Sequence, residues 1–382
     1  MIKRTAETRL IHLANTFRGV AVVGPRQSGK TTLCRNVFPT KPYTSLENPD
    51  TLEFALSDPR GFLAQFNEGA ILDEIQKAPK LFSYLQQIFD ETDKTGLFIL
   101  TGSNNFLMQE NITQTLSGRI AYLQLLPLSL EELKANKKIK SDYASHIIAG
   151  GYPEVISKKI NPTDWYPNYI ATYIERDVRQ VKNINNLAQF TRLLRMCAGR
   201  TGQILNMATL SNDCGIDQKT VAAWLGVLQS SYIIYLLKPY YNNFNKRILK
   251  TPKLYFYDTG VVCSLLGIND AKQIATHSAK GALFENLIVS EFLKTRFNNG
   301  ANDNLYYWRD KTGNEVDILT ENAGVLQAIE LKAGETVSQD YFKGLNYFSG
   351  LETGAVEKSV IYGGNQEQTR SNGIRVIPWD KL

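Results

Sequence analysis

The chain has 382 residues, of which 43% are hydrophobic and 21% charged, and it carries a formal net charge of +6. This length exceeds what one hydrophobic core comfortably covers, so two or three domains are expected; the composition excludes a disordered chain, and the mild basic excess permits a nucleic-acid partner without requiring one. Cys34, Cys197, Cys214 and Cys263 are scattered, His12, His146 and His277 lie far apart, and the longest uncharged apolar run is Tyr232 to Leu237, which argues against a disulfide framework, a structural zinc site and a membrane span.

In chain order, residues 5–17 read as a helix with Leu10, Leu13, Ala14 and Phe17 on one side. Val20 to Val23 reads as a buried strand meeting a Gly-Pro turn, and Thr32 to Phe38 as a helix stopped by Pro39. Further strands are expected at Tyr43 to Leu46, Ala70 to Leu72 and Leu97 to Leu100, with helices over 50–66, broken near Pro59-Arg60-Gly61, and over Pro79 to Phe89. Strands alternating with helices predict a parallel sheet in an α/β fold, whose ligands bind at the carboxyl ends of the strands.

Three candidate motifs fall at those ends. Gly24-Pro25-Arg26-Gln27-Ser28-Gly29-Lys30-Thr31 satisfies G-x-x-x-x-G-K-[ST] between a strand and a helix that continues with Thr32. Glycines let the backbone curl its amides toward phosphate oxygens; Lys30 would neutralise the β- and γ-phosphates of ATP, and the Thr31 hydroxyl would ligate Mg²⁺. Asp73 closes the strand Ala70-Ile71-Leu72, where it can hold the metal opposite Thr31, and Glu74 beside it can polarise an attacking water. After the next strand, Thr101, Ser103 and Asn104 could sense the γ-phosphate, or Ser103 or Asn104 could cap a helix. Arg119 could be an arginine finger supplied to a neighbouring subunit or a plain surface ion pair, and a homo-oligomer is open.

A composition shift follows Leu128. Residues 129–141 read as a lysine-rich helix, Gly150-Gly151-Tyr152-Pro153 as a break, and 163–231 as helical throughout. Within that stretch 187–199, 205–213 and 217–231 form three short helices, the last opened by Asp217, and 231–257 alternates like a hairpin carrying Lys246, Arg247, Lys250 and Lys253. Three helices and a basic hairpin look like a winged helix, in which such cations contact DNA phosphates; protein–protein modules use the same shape.

From Gly281 a helix leads into strands at 305–309, 315–320 and 325–331. Glu285 on the helix, Asp317 on one strand and Glu330 with Lys332 at the end of another could hold one or two Mg²⁺, the lysine lowering the pKa of the attacking water or offsetting charge; the other reading is a surface ion pair on an edge strand.

Taken together the chain resembles the prokaryotic ATPases with an AAA-type core followed by a C-terminal domain of unknown function. The resemblance rests on Gly24 to Thr32, Ile71-Leu-Asp-Glu-Ile-Gln, Leu100-Thr-Gly-Ser-Asn, Leu116-Ser-Gly-Arg, Gly150-Gly-Tyr-Pro-Glu, Tyr173-Ile-Glu-Arg-Asp, Pro252-Lys-Leu-Tyr-Phe-Tyr-Asp, Ala282-Leu-Phe-Glu-Asn and Trp308-Arg with Glu315-Val-Asp. It implies an AAA+-like P-loop core over 1–140, a helical and winged-helix domain over 141–260 and a small α/β PD-(D/E)xK nuclease-like domain over 261–382, with Val316-Asp317 standing where Pro-Asp is usual. The expected protein is thus a cytoplasmic ATP-hydrolysing enzyme coupled to DNA binding or Mg²⁺-dependent cleavage, or alternatively a nucleotide-gated regulator with an inactive nuclease-like domain.

Overall fold

The computed structural model describes residues 2–103, 115–174, 186–240 and 251–382. The chain divides into two compact units, the first formed chiefly by Met1–Leu128 and the second by most of Ser129–Leu382. Most of the residues expected in a middle (141–260) and a C-terminal (261–382) domain fall in the second unit, with Ser230–Tyr232 and Lys294–Asn302 in the first.

In the first unit, helix α1 (Ala6–Thr16) buries Ala6, Leu10, Leu13 and Ala14, a helical stripe that packs into the core. Strand β1 (Gly19–Val23) is buried throughout and runs into the phosphate loop and helix α2 (Lys30–Val37). After β2 (Tyr43–Ser45) come α3 (Pro49–Ser57) and α4 (Pro59–Ala64). The expected break between these helices falls at Asp58, whose carboxylate caps α4 by accepting from the Gly61 amide. β3 (Ala70–Asp73), α5 (Lys80–Asp90), β4 (Phe98–Gly102) and β5 (Ile120–Gln124) complete the unit. The strands pair in the order β2-β3-β4-β1-β5, and every pairing is parallel. β5 escapes the apolar-run criterion because only alternate residues are buried. The register sets Val23 beside Gly102 and Gln124, and Asp73 beside Ser45, so the motif-bearing ends share one edge of the sheet.

The second unit opens with α6 (Leu130–Ala135), held by a capping box between Ser129 and Glu132. It is shorter than the expected 129–141 because the chain leaves helical geometry at Asn136 and Lys137 takes a positive φ of 54°. Helices α7 (Tyr143–Ala149), α8 (Pro153–Lys158) and α9 (Pro162–Tyr169) follow. Then come α10 (Leu187–Ala198), α11 (Met207–Cys214) and α12 (Gln218–Ser230), near the three short helices expected. β6 (Ile234–Pro239) and β7 (Lys253–Phe256) pair antiparallel. The hairpin is not a free appendage: β6 also pairs parallel with β8 (Leu305–Arg309) through Lys238 and Pro239.

Between them run α13 (Thr259–Leu266), α14 (Ala271–Thr276) and the long α15 (Lys280–Asn298). β9 (Glu315–Asn322), β10 (Val325–Lys332), α16 (Lys343–Ser349), β11 (Val356–Tyr362), β12 (Gln368–Thr369) and β13 (Arg375–Pro378) complete an eight-stranded mixed sheet, ordered β12-β13-β11-β10-β9-β8-β6-β7. Phe342, Leu345 and Phe348 pack on one face of this sheet against Trp308, Val316 and Leu319. Among the described residues no helix is long and apolar enough to cross a membrane.

Candidate functional site

The phosphate loop is shaped by two glycines. Gly24 has φ of 153°, and a Cβ there would stand 2.1 Å from the Leu125 carbonyl oxygen; Gly29 takes φ of 93° as the residue that opens α2. The helix N-terminus thereby begins at Lys30, with the amides of its first turn free of helical partners and directed at the loop. Lys30 is buried, and its ammonium donates to the carbonyls of Gly24 at 3.0 Å and Pro25 at 2.8 Å. Burial draws this lysine below its ordinary pKa, while Glu74 and Asp73 pull it back up. Ser28 Oγ is fully buried without a hydrogen-bond partner, an orphaned polar atom inside the loop.

Across the sheet edge, Asp73 is the meeting point of three elements. Its Oδ1 accepts from the Thr31 hydroxyl at 2.9 Å and from Thr101 at the end of β4, and its Oδ2 accepts from the Tyr43 hydroxyl at 3.0 Å. Glu74 follows in the left-handed region, φ 56°, a conformation uncommon for a glutamate and imposed as β3 turns away from the sheet. Its Oε2 accepts from Ser103 Oγ at 3.0 Å and from the Gln76 amide. Lys30, Thr31, Asp73, Glu74 and Ser103 are therefore brought together by this network. Arg26 reaches Glu47 at 3.4 Å at its rim. Asn104 lies outside the described residues.

The hydroxyl and carboxylate oxygens of Thr31 and Asp73 are hard ligands of the kind Mg²⁺ takes, and the lysine beside them suits a phosphate. Two further contributors were not legible beforehand. Tyr43 reaches Asp73 from the neighbouring strand, and Arg4, buried at the chain start, donates to Ser28 O and Leu126 O at 2.8 Å each. Arg4 carries no sequence signal, since its partners are 24 and 122 residues away.

Arg119 falls elsewhere. It precedes β5, whose Ile120 pairs with Gly19, the end of β1 opposite the loop; its guanidinium is bidentate to Asp90 at 2.6 and 3.0 Å. Within its own chain it is a surface ion pair and not part of the nucleotide end.

The second cluster lies in the second unit. Lys253 opens β7 and is only 3% exposed, so it is not a solvent-facing phosphate contact of a basic hairpin as expected; Lys246, Arg247 and Lys250 lie outside the described residues. Its ammonium is ion-paired with Glu285 at 2.8 Å, with Glu315, and with Asp317 at 3.5 Å. The Tyr307 ring lies under it, 5.6 Å from the nitrogen. Burial lowers the pKa of this lysine, but Tyr255, Glu285, Asp317 and Glu315 outweigh that and hold it above the ordinary lysine value, so it stays charged. Tyr255, on the same face of β7, also donates to Glu285. Asp317 Oδ2 accepts from the Leu331 amide at 2.8 Å.

Lys332 pairs with Glu330 Oε1 at 2.6 Å, and Glu330 Oε2 is buried without a partner. Burial, reinforced by Asp317, pushes the Glu330 carboxyl up to about 8 and the Glu285 carboxyl to about 7, against the pull of their lysines. Glu285, Asp317, Glu330 and Lys332 thus gather at one place. Glu315 and Lys253 join them unannounced, although Glu315 is two residues from Asp317 and therefore on the same strand face. Among the described residues no group of three or more histidine, cysteine, aspartate or glutamate side chains is arranged to hold a metal ion.

The parallel sheet, the glycine loop and the Thr31–Asp73 pair have the layout of a P-loop domain, and residues 16–134 match the family described as an AAA domain. Residues 140–272 and 280–382 match two further families, each described as a domain of unknown function. An uncharacterized protein of Mycobacterium tuberculosis is 26% identical over 100% of this chain and 84% of its own length. An uncharacterized protein of Methanocaldococcus jannaschii is 24% identical over 86% of this chain and 77% of its own. Among solved structures, the Walker-type ATPase of Pyrococcus abyssi is similar with a TM-score of 0.44 and 14% identity, covering 70% of this chain and 96% of that one.

Proposed function

We propose that the first unit binds Mg-ATP in the loop from Gly24 to Thr31 and hydrolyses it. The observation that carries this reading is the Thr31 hydroxyl 2.9 Å from the Asp73 carboxylate, with Glu74 next in the chain. Lys30 would leave the Gly24 and Pro25 carbonyls for the β- and γ-phosphates, and the buried Ser28 hydroxyl would gain a partner there. Thr31 and Asp73 would hold Mg²⁺, whose charge offsets that of the triphosphate. Glu74, oriented by Ser103, would accept a proton from the attacking water. Turnover of Mg-ATP by wild type, Lys30→Ala and Glu74→Gln tests this. Lys30→Ala should lose binding, and Glu74→Gln should keep binding and lose about a hundredfold in kcat. Equal, near-zero rates in all three would refute hydrolysis.

The nucleotide state would in turn control nucleic-acid binding by the second unit. Three helices followed by an antiparallel pair, α10 to β7, support a winged-helix reading of its middle segment. The gathering of Glu285, Asp317, Glu330 and Lys332 supports a PD-(D/E)xK-like reading of its C-terminal part. One observation favours the regulator over the nuclease: a buried lysine, Lys253, already neutralises that cluster. DNA binding that is salt-sensitive and changes between ATP and ADP tests the coupling; nucleotide-independent binding would sink it.

A further inference from the structure

We infer that Lys253 is a built-in counter-cation occupying the carboxylate cluster of the second unit, so that Glu285 and Asp317 take an ammonium where a nuclease of this layout would take a divalent metal. The inference rests on the PD-(D/E)xK-like reading only for the identity of the ion displaced.

The argument is one of oxygens and charges. Glu285 Oε1 is shared by the Lys253 ammonium at 2.8 Å and by the Tyr255 hydroxyl. Asp317 Oδ1 faces Lys253 at 3.5 Å, and its Oδ2 is spent on the Leu331 amide at 2.8 Å. Glu315 is paired with both Lys253 and Arg309, the latter at 3.2 Å. Glu330 Oε1 holds Lys332 at 2.6 Å. Four carboxylates thus already face three cations, and each has at least one oxygen engaged. Magnesium usually binds through one or two carboxylates and several waters, and here Glu285 Oε1 and Asp317 Oδ1 already face the Lys253 ammonium. An ammonium and a divalent ion cannot share the space between Glu285 and Asp317, because their repulsion in a buried site is not screened by water.

Backbone placement makes Lys253 a fixture. It sits at the first position of β7, whose neighbour Leu254 exchanges hydrogen bonds with Gly202 and Gln203, and Lys253 itself bridges to Ile204. The strand is therefore clamped on both edges, by β6 and by the 202–204 segment. With Tyr307 packed beneath the ammonium, the side chain has little room to swing away.

Mn²⁺ binding to the nucleotide-free full chain tests this, read by the electron paramagnetic resonance of free Mn²⁺ and compared with Asp317→Asn. Wild type and Asp317→Asn should bind the same amount at millimolar Mn²⁺. Lys253→Met, which keeps the apolar stem, should gain one Mn²⁺ per chain at least about tenfold tighter, and the double variant with Asp317→Asn should lose it. An Mn²⁺ ion on wild type that Asp317→Asn abolishes would overturn the inference, as would a folded Lys253→Met that gains none. The wild-type comparison stands even if Lys253→Met does not fold. Failure of ATP hydrolysis leaves every arm unchanged, because no nucleotide is present.

Discussion

The Arg4 guanidinium donates to the Ser28 carbonyl at 2.8 Å and, through its other terminal nitrogen, to Leu126 O at the same distance. The side chain is 6% exposed, so both bonds are shielded from water. It ties the tip of the phosphate loop to the chain just after β5 and so limits how far the loop can relax without ligand. Arg4→Ala leaves two buried carbonyls short of a partner and is expected to cost about 1–3 kcal/mol of stability. Because a looser loop must be ordered on binding, nucleotide affinity should fall roughly fivefold, about 1 kcal/mol. Thermal unfolding and titration with a fluorescent ATP analogue measure the two effects; unchanged affinity would show that the loop holds its shape without Arg4.

The Ser103 hydroxyl donates to Glu74 at 3.0 Å. Ser103→Ala should therefore leave nucleotide affinity as it is and lower kcat by up to about tenfold, since Glu74 keeps its Gln76 contact. A change in KM with kcat intact would instead make Ser103 a binding residue.

Arg119 makes the opposite case. Its pair with Asp90 is partly exposed and stands at the far end of β1 from Gly24. Arg119→Ala should leave nucleotide affinity and melting temperature nearly unchanged, as is usual for surface ion pairs. Turnover per chain should also be unchanged at every protein concentration; a loss seen only at high concentration would instead identify a finger acting on a neighbouring copy.

The Glu330 carboxyl, raised to about 8 by burial and by Asp317, makes stability depend on pH. A carboxyl held higher in the folded than in the unfolded state favours folding fully at pH below the unfolded value near 4.5, and that contribution fades as pH rises through the folded value. Glu330→Gln mimics the protonated form. It should match wild type near pH 4.5 and become the more stable of the two between about pH 6 and 8.5, with a ceiling of about 1.4 kcal/mol per pH unit. Lost pairing with Lys332 works against this gain; parallel curves of melting temperature against pH would mean that the pair cancels the burial cost, and curves diverging the other way that it outweighs it.

The nucleotide end was largely legible along the chain because its parts are local. A loop needing Gly24 and Gly29, a helix expected from Thr32 and found to start two residues earlier at Lys30, and an acid closing an apolar strand are each written within a few consecutive residues. What pairs with them was not. Tyr43 reaches Asp73 only because β2 and β3 are neighbours, and Arg4 meets Ser28 only because α1 folds back beside the loop. The strand β5 was missed for a related reason: its half-buried alternation means little until β1 lies beside it.

By itself, the order of residues determined the two chemistries on offer, a phosphate-cradling loop and a carboxylate–lysine cluster, since each follows from side-chain type and backbone period. Only the tertiary structure decided what fills the second of them. Lys253 reads in sequence as one more cation of a basic hairpin, and it is the antiparallel pairing of β6 with β7 that turns it inward onto Glu285 and Asp317. Side chains alternate across a strand, so which cations meet solvent and which meet carboxylates is set by the neighbours a strand acquires on folding.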